Sequence, residues 1–244
     1  MRPPLFLVDD DNLPEGDLVR LDGAEGRHAA TVRRFRIGEA IAVGDGHGSV
    51  REGVVAEVGR ESLVARCGPV RFEPVPAVRL VVIQALAKGD RGELAVETMT
   101  ELGVDEIVPW AASRSIVQWH GARGERARER WAATARSAAK QSRRAWVPQI
   151  GAIASTVAVA ERLTCAPGSM VLHEPADKAL TGLPLPDAGD LLVVVGPEGG
   201  VSDDELDAFE AAGAQPARLG APVLRTSTAG AAACAALSVL LRRW

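Results

Sequence analysis

The sequence predicts a small all-β unit followed by an α/β domain built on a mainly parallel sheet. Three observations carry that expectation. Short apolar runs broken by Gly- and Asp-containing turns recur through residues 1–72, as the strands of a small barrel or sandwich do. The stretch Glu73-Pro74-Val75-Pro76 then reads as an extended connector, because each proline biases its predecessor away from helix. We therefore place the domain boundary between residues 72 and 73. From 73 to 244 apolar strands alternate with stretches of helical period, the pattern of an α/β domain.

In the first part, strands are expected at residues 40–43, 50–58 and 62–67, with one helix over 26–33. The turns Gly44-Asp45-Gly46-His47-Gly48 and Gly59-Arg60 suit reversals, since Gly reaches positive φ and Asp bonds its own backbone. In the second part, residues 79–86 (RLVVIQAL) form an almost unbroken apolar run, as a strand covered on both faces does. Ala95, Met99 and Leu102 at i, i+4 and i+7 mark a helix that stops at Gly103. A strand at 104–109 follows. Ala127, Trp131, Ala135 and Ala138 then give the inner stripe of a long helix, with Arg126, Arg130, Lys140 and Arg144 off it. A short helix at 155–163 and strands at 169–173 and 190–195 come next. Ser202 and Glu205 form a capping box before a helix at 205–212 that ends at Gly213. A strand at 215–219 and an Ala-rich helix at 228–242, capped by Ser227 or Thr228, complete the chain.

Composition narrows the function. The formal net charge of −4 excludes a wholly cationic nucleic-acid binder, yet the charge is uneven. Residues 123–144 sum to +6, residues 27–36 hold four arginines and no acid, and residues 145–244 sum to −5. Two basic stretches of this kind suit phosphates or, equally, solvated faces. Cys67, Cys165 and Cys234 show no pairing logic and no CxxC, so neither a disulfide framework nor a zinc site is expected. The N-terminus lacks the apolar core of a signal peptide, and the apolar run at 229–241 is too short to span a bilayer. A cytoplasmic location is expected.

Three segments carry chemistry. Residues 191–202 (LLVVVGPEGGVS) run a buried strand into a glycine-rich turn and a capped helix, which lets backbone N–H groups approach a ligand. No Gly-Lys-Ser/Thr follows, so it is not a P-loop, and the GxGxxG spacing of dinucleotide sites is absent. Read alone, it is a ligand loop or a tight turn. Residues 219–230 (LGAPVLRTSTAG) place Arg225 and three hydroxyls at a helix start, where anions or a simple cap fit. Leu172-His173-Glu174-Pro175 puts a polar pair at a strand end. All three fall at carboxyl ends of strands, where parallel sheets gather ligands.

These residues resemble a known family. GPEGG after an apolar strand, followed by LG-x₃-LRTST at the last helix, is similar to the SPOUT class of RNA methyltransferases, and most fully to its RsmE family. Other segments agree: Arg27-His28-Ala29-Ala30-Thr31-Val32-Arg33-Arg34, Gln84-Ala85-Leu86-Ala87-Lys88-Gly89-Asp90-Arg91, Thr100-Glu101-Leu102-Gly103-Val104, Ser113-Arg114-Ser115 and Ala139-Lys140-Gln141-Ser142-Arg143-Arg144. The resemblance covers essentially the whole chain. The chain departs from the family pattern at Ser227, where Glu is common, at Lys140 and Arg143 for Glu and Gly, and at Thr98 for Lys.

The resemblance implies a PUA-like β-barrel that binds RNA, over residues 1–72, and a trefoil-knotted SPOUT domain over 73–244. It implies S-adenosyl-L-methionine as cofactor, no metal, no membrane, a homodimer, and methylation of uridine N3 in the 16S RNA of the small ribosomal subunit. The alternatives are a SPOUT methyltransferase acting elsewhere on RNA and an inert RNA-binding homologue. Cofactor contacts fall to Leu172, His173, Val195, Gly196, Pro197, Glu198, Gly199, Gly200, Leu219, Gly220, Leu224, Arg225, Thr226, Ser227, Thr228 and Ala229. Catalytic roles fall to Arg225 as charge stabiliser, to Glu198 as proton acceptor with His173 as a second candidate base, and to Thr228, with Thr226 and Ser227, as an orienting hydroxyl. RNA contacts fall to Arg27, His28, Arg33, Arg34, Lys88, Arg91, Arg114, Arg136, Lys140, Arg143 and Arg144.

Overall fold

The computed structural model describes residues 2–8 and 13–244. The chain forms two compact units, Met1–Val75 with Ala139–Val147, and Pro76–Ala138 with Pro148–Trp244.

The first unit contains β1 (Leu5–Leu7), β2 (Leu18–Leu21), α1 (Gly23–Arg27), a π turn (His28–Val32), β3 (Ala40–Gly44), β4 (Ser49–Val58), β5 (Leu63–Cys67) and β6 (Arg71–Phe72). The sheet order is β1-β3-β4-β5-β2, with β6 paired to β4. Phe6 on one edge strand and Val19 and Leu21 on the other share a core with Ile41, Val43 and Leu63. The sheet therefore curls until both edges face one interior. Strands β3, β4 and β5 lie where the turns predict them. The helix starts three residues earlier than expected, at Gly23, and its second half is π-helical. Packing sets this: a Cβ on Gly26 would collide with Leu21 O and Glu61 O, so Gly26 lies inside the helix against backbone. Arg51 is buried in β4 yet satisfied, donating to the carbonyls of Gly68 (2.8 Å), Pro14 (3.0 Å) and Cys67 (3.2 Å).

Residues 139–147 complete this unit from far along the chain. Ala145 joins Leu5, Leu7, Ala42 and Val50 in a second small core. Trp146 stacks edge-on to Phe72 and donates its indole N–H to Glu73 O at 2.7 Å. Lys140 is not free for RNA. Its ammonium lies 2.6 Å from Glu25 Oε1 and 5.5 Å from the Phe6 ring centre, with only 20% of its side chain exposed.

The second unit contains β7 (Val78–Ala85), α2 (Arg91–Glu101), β8 (Glu106–Trp110), α3 (Gly121–Gln141), β9 (Gln149–Ile150), α4 (Thr156–Cys165) and β10 (Gly168–Leu172). A 3₁₀ turn (Leu180–Gly182), β11 (Gly189–Val195), α5 (Asp203–Ala211), β12 (Gln215–Ala217) and α6 (Thr226–Leu240) follow. The sheet order is β12-β10-β11-β7-β8-β9, and every neighbouring pair is parallel. Alternate residues of β7 serve opposite faces: Leu80 and Val82 join one core, Val81 and Ile83 the other. That two-sided burial is why RLVVIQAL is almost wholly apolar.

Helix α6 starts two residues earlier than predicted. Arg225 is the N-cap residue, with extended backbone, so Ser227 and Thr228 lie within the first turn and cap nothing. Helix α6 packs on α2, β7 and β11, although β12, the strand before it, is at the sheet edge beside β10. Residues 218–225 must therefore cross the carboxyl ends of β10 and β11. Small residues permit the close α2–α6 approach: a Cβ on Gly230 would stand 2.5 Å from Met99 Sδ.

Candidate active site

Parallel strands end on one side, and the loops that leave β10, β11 and β12 enclose a cavity of about 670 Å³ there. Its walls include residues 172–175, 195–201, 217–220 and 222–226, with Ala229, Arg91, Arg114 and Asp203.

The glycine-rich loop 196–200 forms one wall. A Cβ on Gly196 would stand 2.9 Å from Val201 Cγ2, and Gly200 has φ +73°, where a side chain is strained. Backbone therefore faces where side chains would otherwise be. Groups from outside hold this loop. Arg114 Nη1 donates to Gly199 O (3.3 Å) and Val201 O (3.2 Å). Its neighbours join in: Ser113 N donates to Glu205 Oε1 (2.7 Å), and Ser115 Oγ donates to Leu86 O (3.1 Å). On the other side Glu198 Oε1 accepts from Arg91 Nη1 (3.1 Å) and Lys88 N (3.4 Å). Burial pushes the Glu198 carboxyl up, but the backbone N–H groups and Arg91 outweigh it and leave it below its usual range. A carboxylate held so is a weak proton acceptor, and the geometry makes it an anchor between α2 and the loop.

The second wall is the start of α6. Thr226 Oγ1 donates to Gly196 O at 2.8 Å and accepts from Gln84 Nε2 at 3.0 Å. Arg225 lines the cavity and is exposed, and its guanidinium makes no hydrogen bond or ion pair among the described residues. The third wall is Leu172-His173-Glu174-Pro175. His173 N donates to Ala217 O at 2.9 Å, which fixes this loop beside β12.

The comparisons agree with this geometry. Residues 74–238 match the family described as RNA methyltransferase domain, and residues 21–66 match RNA methyltransferase PUA domain. The chain is 47% identical over 98% of its length to "Ribosomal RNA small subunit methyltransferase E" of Mycobacterium bovis, covering 93% of that protein. The chain belongs to the ribosomal RNA small subunit methyltransferase E family. A solved member from Neisseria gonorrhoeae, bound to S-adenosyl methionine, superposes with a TM-score of 0.85 at 29% identity over 98% of each chain. A Legionella pneumophila methyltransferase structure shares the fold, with a TM-score of 0.85 over 98% of each chain at 24% identity. The two units are thus a PUA-like domain and a SPOUT-type knotted domain.

In this family member the fold gathers most of the residues singled out from sequence. Leu172, His173, Val195, Gly196, Pro197, Glu198, Gly199, Gly200, Leu219, Gly220, Leu224, Arg225, Thr226 and Ala229 all line the cavity. Ser227 and Thr228 do not: Ser227 is buried in the helix, and Thr228 is exposed, its N–H spent on Arg225 O. Arg91 and Arg114, expected on RNA, stand in the cavity wall. Arg27, Arg33, Arg34 and Lys88 are exposed, and Arg27 is 3.5 Å from Glu61. His28 lies against Phe6 with the rings tilted at 52°, and Arg136, Arg143 and Arg144 are half-buried. Sequence reasoning missed Arg218, Asp203 and the buried Gln84. Only Gln84 carried a signal, as the lone amide in an apolar strand.

No described helix is long and apolar enough to cross a membrane. No group of three or more His, Cys, Asp or Glu able to hold a metal occurs among the described residues.

Proposed function

We propose that this chain methylates N3 of a uridine in small-subunit (16S) ribosomal RNA, with S-adenosyl-L-methionine as methyl donor, as a cytoplasmic homodimer. The observation that carries the reading is the cavity at the carboxyl ends of β10, β11 and β12, in a chain whose relative of that fold is solved with S-adenosyl methionine. Its volume of about 670 Å³ falls in the range of small-molecule sites, and its glycine loop presents backbone where a Cβ would intrude. When bound, S-adenosylmethionine supplies an electrophilic methyl group on a sulfonium.

The chain's residues do the rest. Loop 196–200, Leu172, Leu219-Gly220, Leu224 and Ala229 hold and orient the donor, and exclude water behind it. Arg225, which makes no side-chain bond among the described residues, stabilises the negative charge that spreads onto the uracil oxygens as N3 gives up its proton to solvent. Glu198 fixes the loop through Arg91 rather than receiving that proton. The exposed Arg27, Arg33 and Arg34 of the PUA-like unit hold RNA phosphates. Exposed apolar residues at the chain's end, Val239 (60% exposed) and Trp244 (64%), and Val223 (69%) beside Arg225 support a second copy there.

Calorimetric titration tests the donor site. The parent chain is expected to bind S-adenosylmethionine, and folded Gly199→Val is expected to lose it. A Cβ at Gly199 would already stand 3.2 Å from Arg114 Cβ, so branching there displaces the loop. Equal binding by both would remove the loop from the site.

A further inference from the structure

Strand β7 carries one polar side chain among its buried residues, and it is wholly buried. Gln84 is 0% exposed, near the carboxyl end of the strand. Its Nε2 donates to Ala85 O at 3.1 Å and to Thr226 Oγ1 at 3.0 Å. Its Oε1 has no partner among the described residues. Turning the amide over would set Oε1 against the Ala85 carbonyl, so the donors fix its orientation.

The bonds have a direction. Thr226 Oγ1 has one proton. Because it accepts from Gln84, that proton goes to Gly196 O, 2.8 Å away. A single chain, Gln84 Nε2 to Thr226 Oγ1 to Gly196 O, thus ties β7 to the first residue of α6 and the first residue of the glycine loop. Thr226 and Gly196 both line the cavity, and Arg225 immediately precedes Thr226. Gln84 does not line it. As a packing residue Gln84 is poorly chosen: an apolar side chain of the same shape would fill the space without stranding Oε1. The amide's contribution is the donor it gives to Thr226.

We propose that Gln84 is a positioning residue for the donor cavity: through Thr226 it sets the register of the α6 start against the glycine loop, and so the place of Arg225. This rests on the reading of the cavity as the S-adenosylmethionine site.

The test is a double-mutant cycle read in S-adenosylmethionine affinity, with Gln84→Met and Thr226→Val, alone and together, and thermal melts alongside. Gln84→Met keeps the shape and removes the donor. Each single variant is expected to weaken binding about tenfold, and the double variant about as much as either one, because the chain breaks once. The melting temperature of Gln84→Met is expected to hold or rise while affinity falls, an opposition that a packing role does not produce. Affinity within twofold of the parent, or effects that multiply in the double variant, would overturn the proposal. So would loss of affinity that only tracks loss of stability. If Gln84→Met does not fold, Thr226→Ser against Thr226→Val decides: Ser keeps the hydroxyl and retains affinity, and equal affinities in the two refute the relay. The parent chain is the control. Its own failure to bind would sink the donor-site reading alone, and the melts then judge the relay: a melting temperature of Gln84→Met that holds or rises keeps it, and a fall equal to that of Thr226→Val refutes it.

Discussion

Arg225 is extended and exposed at the cavity wall and makes no side-chain bond among the described residues, while Arg91 and Arg114 nearby are already bonded to Glu198 and to loop carbonyls. That contrast separates a chemical role from scaffolding ones. A guanidinium meets two oxygens in a plane, and an ammonium does not. Arg225→Lys is therefore expected to lower kcat about 10²-fold, as lost oxyanion donors do, with S-adenosylmethionine affinity nearly unchanged. Single-turnover kinetics with calorimetry checks this; unchanged turnover removes Arg225 from the reaction. Legibility was uneven at this scale. Arg225, His173 and the GPEGG loop stood out because glycines, hydroxyls and charge cluster at strand ends. Glu198 invited the role of base because sequence does not show that Arg91 and Lys88 N reach the same oxygen. Lys140 looked like a phosphate ligand because its partner Glu25 is 115 residues away.

Among elements, the loop after β8 organises the site without facing it chemically. Ser113-Arg114-Ser115 reaches Glu205, the glycine loop and Leu86 in turn. Glu205 is the pivot. It is 4% exposed, accepts from Ser113 N (2.7 Å), Thr156 Oγ1 (3.2 Å) and Ser202 N (3.0 Å), and closes the α5 capping box. Burial pushes its carboxyl up, but the N–H and hydroxyl donors of Ser113 and Ser202 outweigh that and leave it below the usual range. Glu205→Gln sets an amide N–H against backbone donors and is expected to cost about 1–3 kcal/mol. At this chain length that is a fall of roughly 2–4 °C in melting temperature per kcal/mol. Because the folded carboxyl titrates below the unfolded one, its stabilisation is complete above about pH 4.3 and is lost as pH falls through the folded value. Melts from pH 7 down to pH 3 are expected to converge for parent and variant, and a constant difference refutes the charge argument. The capping box was legible because it is local, Ser202 to Glu205. The start of α6 was not, since Gln84 and Gly196 decide where Thr226 sits, from 142 and 30 residues away.

For the whole molecule, the sheet keeps its functions at opposite edges. At the carboxyl edge lies the cavity. At the amino edge Arg162 grips Glu106 with two bonds of 2.7 and 2.6 Å, and Arg79 joins Asp190 at 3.0 Å, which pins β7, β8 and β11 together. The alternation of strands and helices and the two-sided burial of β7 were readable from period alone. The crossing of residues 218–225 and the recruitment of 139–147 by the first unit were not, because periodicity reports an element's faces and not the path between elements. The family resemblance supplied the knot. On the first unit, neutralising Arg33 and Arg34 together is expected to weaken RNA binding and flatten its salt dependence, since fewer counterions are released. An unchanged slope in filter binding across salt makes them a solvated face. The most direct test of the whole reading is to incubate the purified chain with S-adenosylmethionine and small subunits or 16S RNA lacking the modification, and to map the methylated nucleoside by mass spectrometry. The account predicts 3-methyluridine at one site. A methyl group on a ribose or another base, or no transfer by a chain that binds the donor, would contradict it.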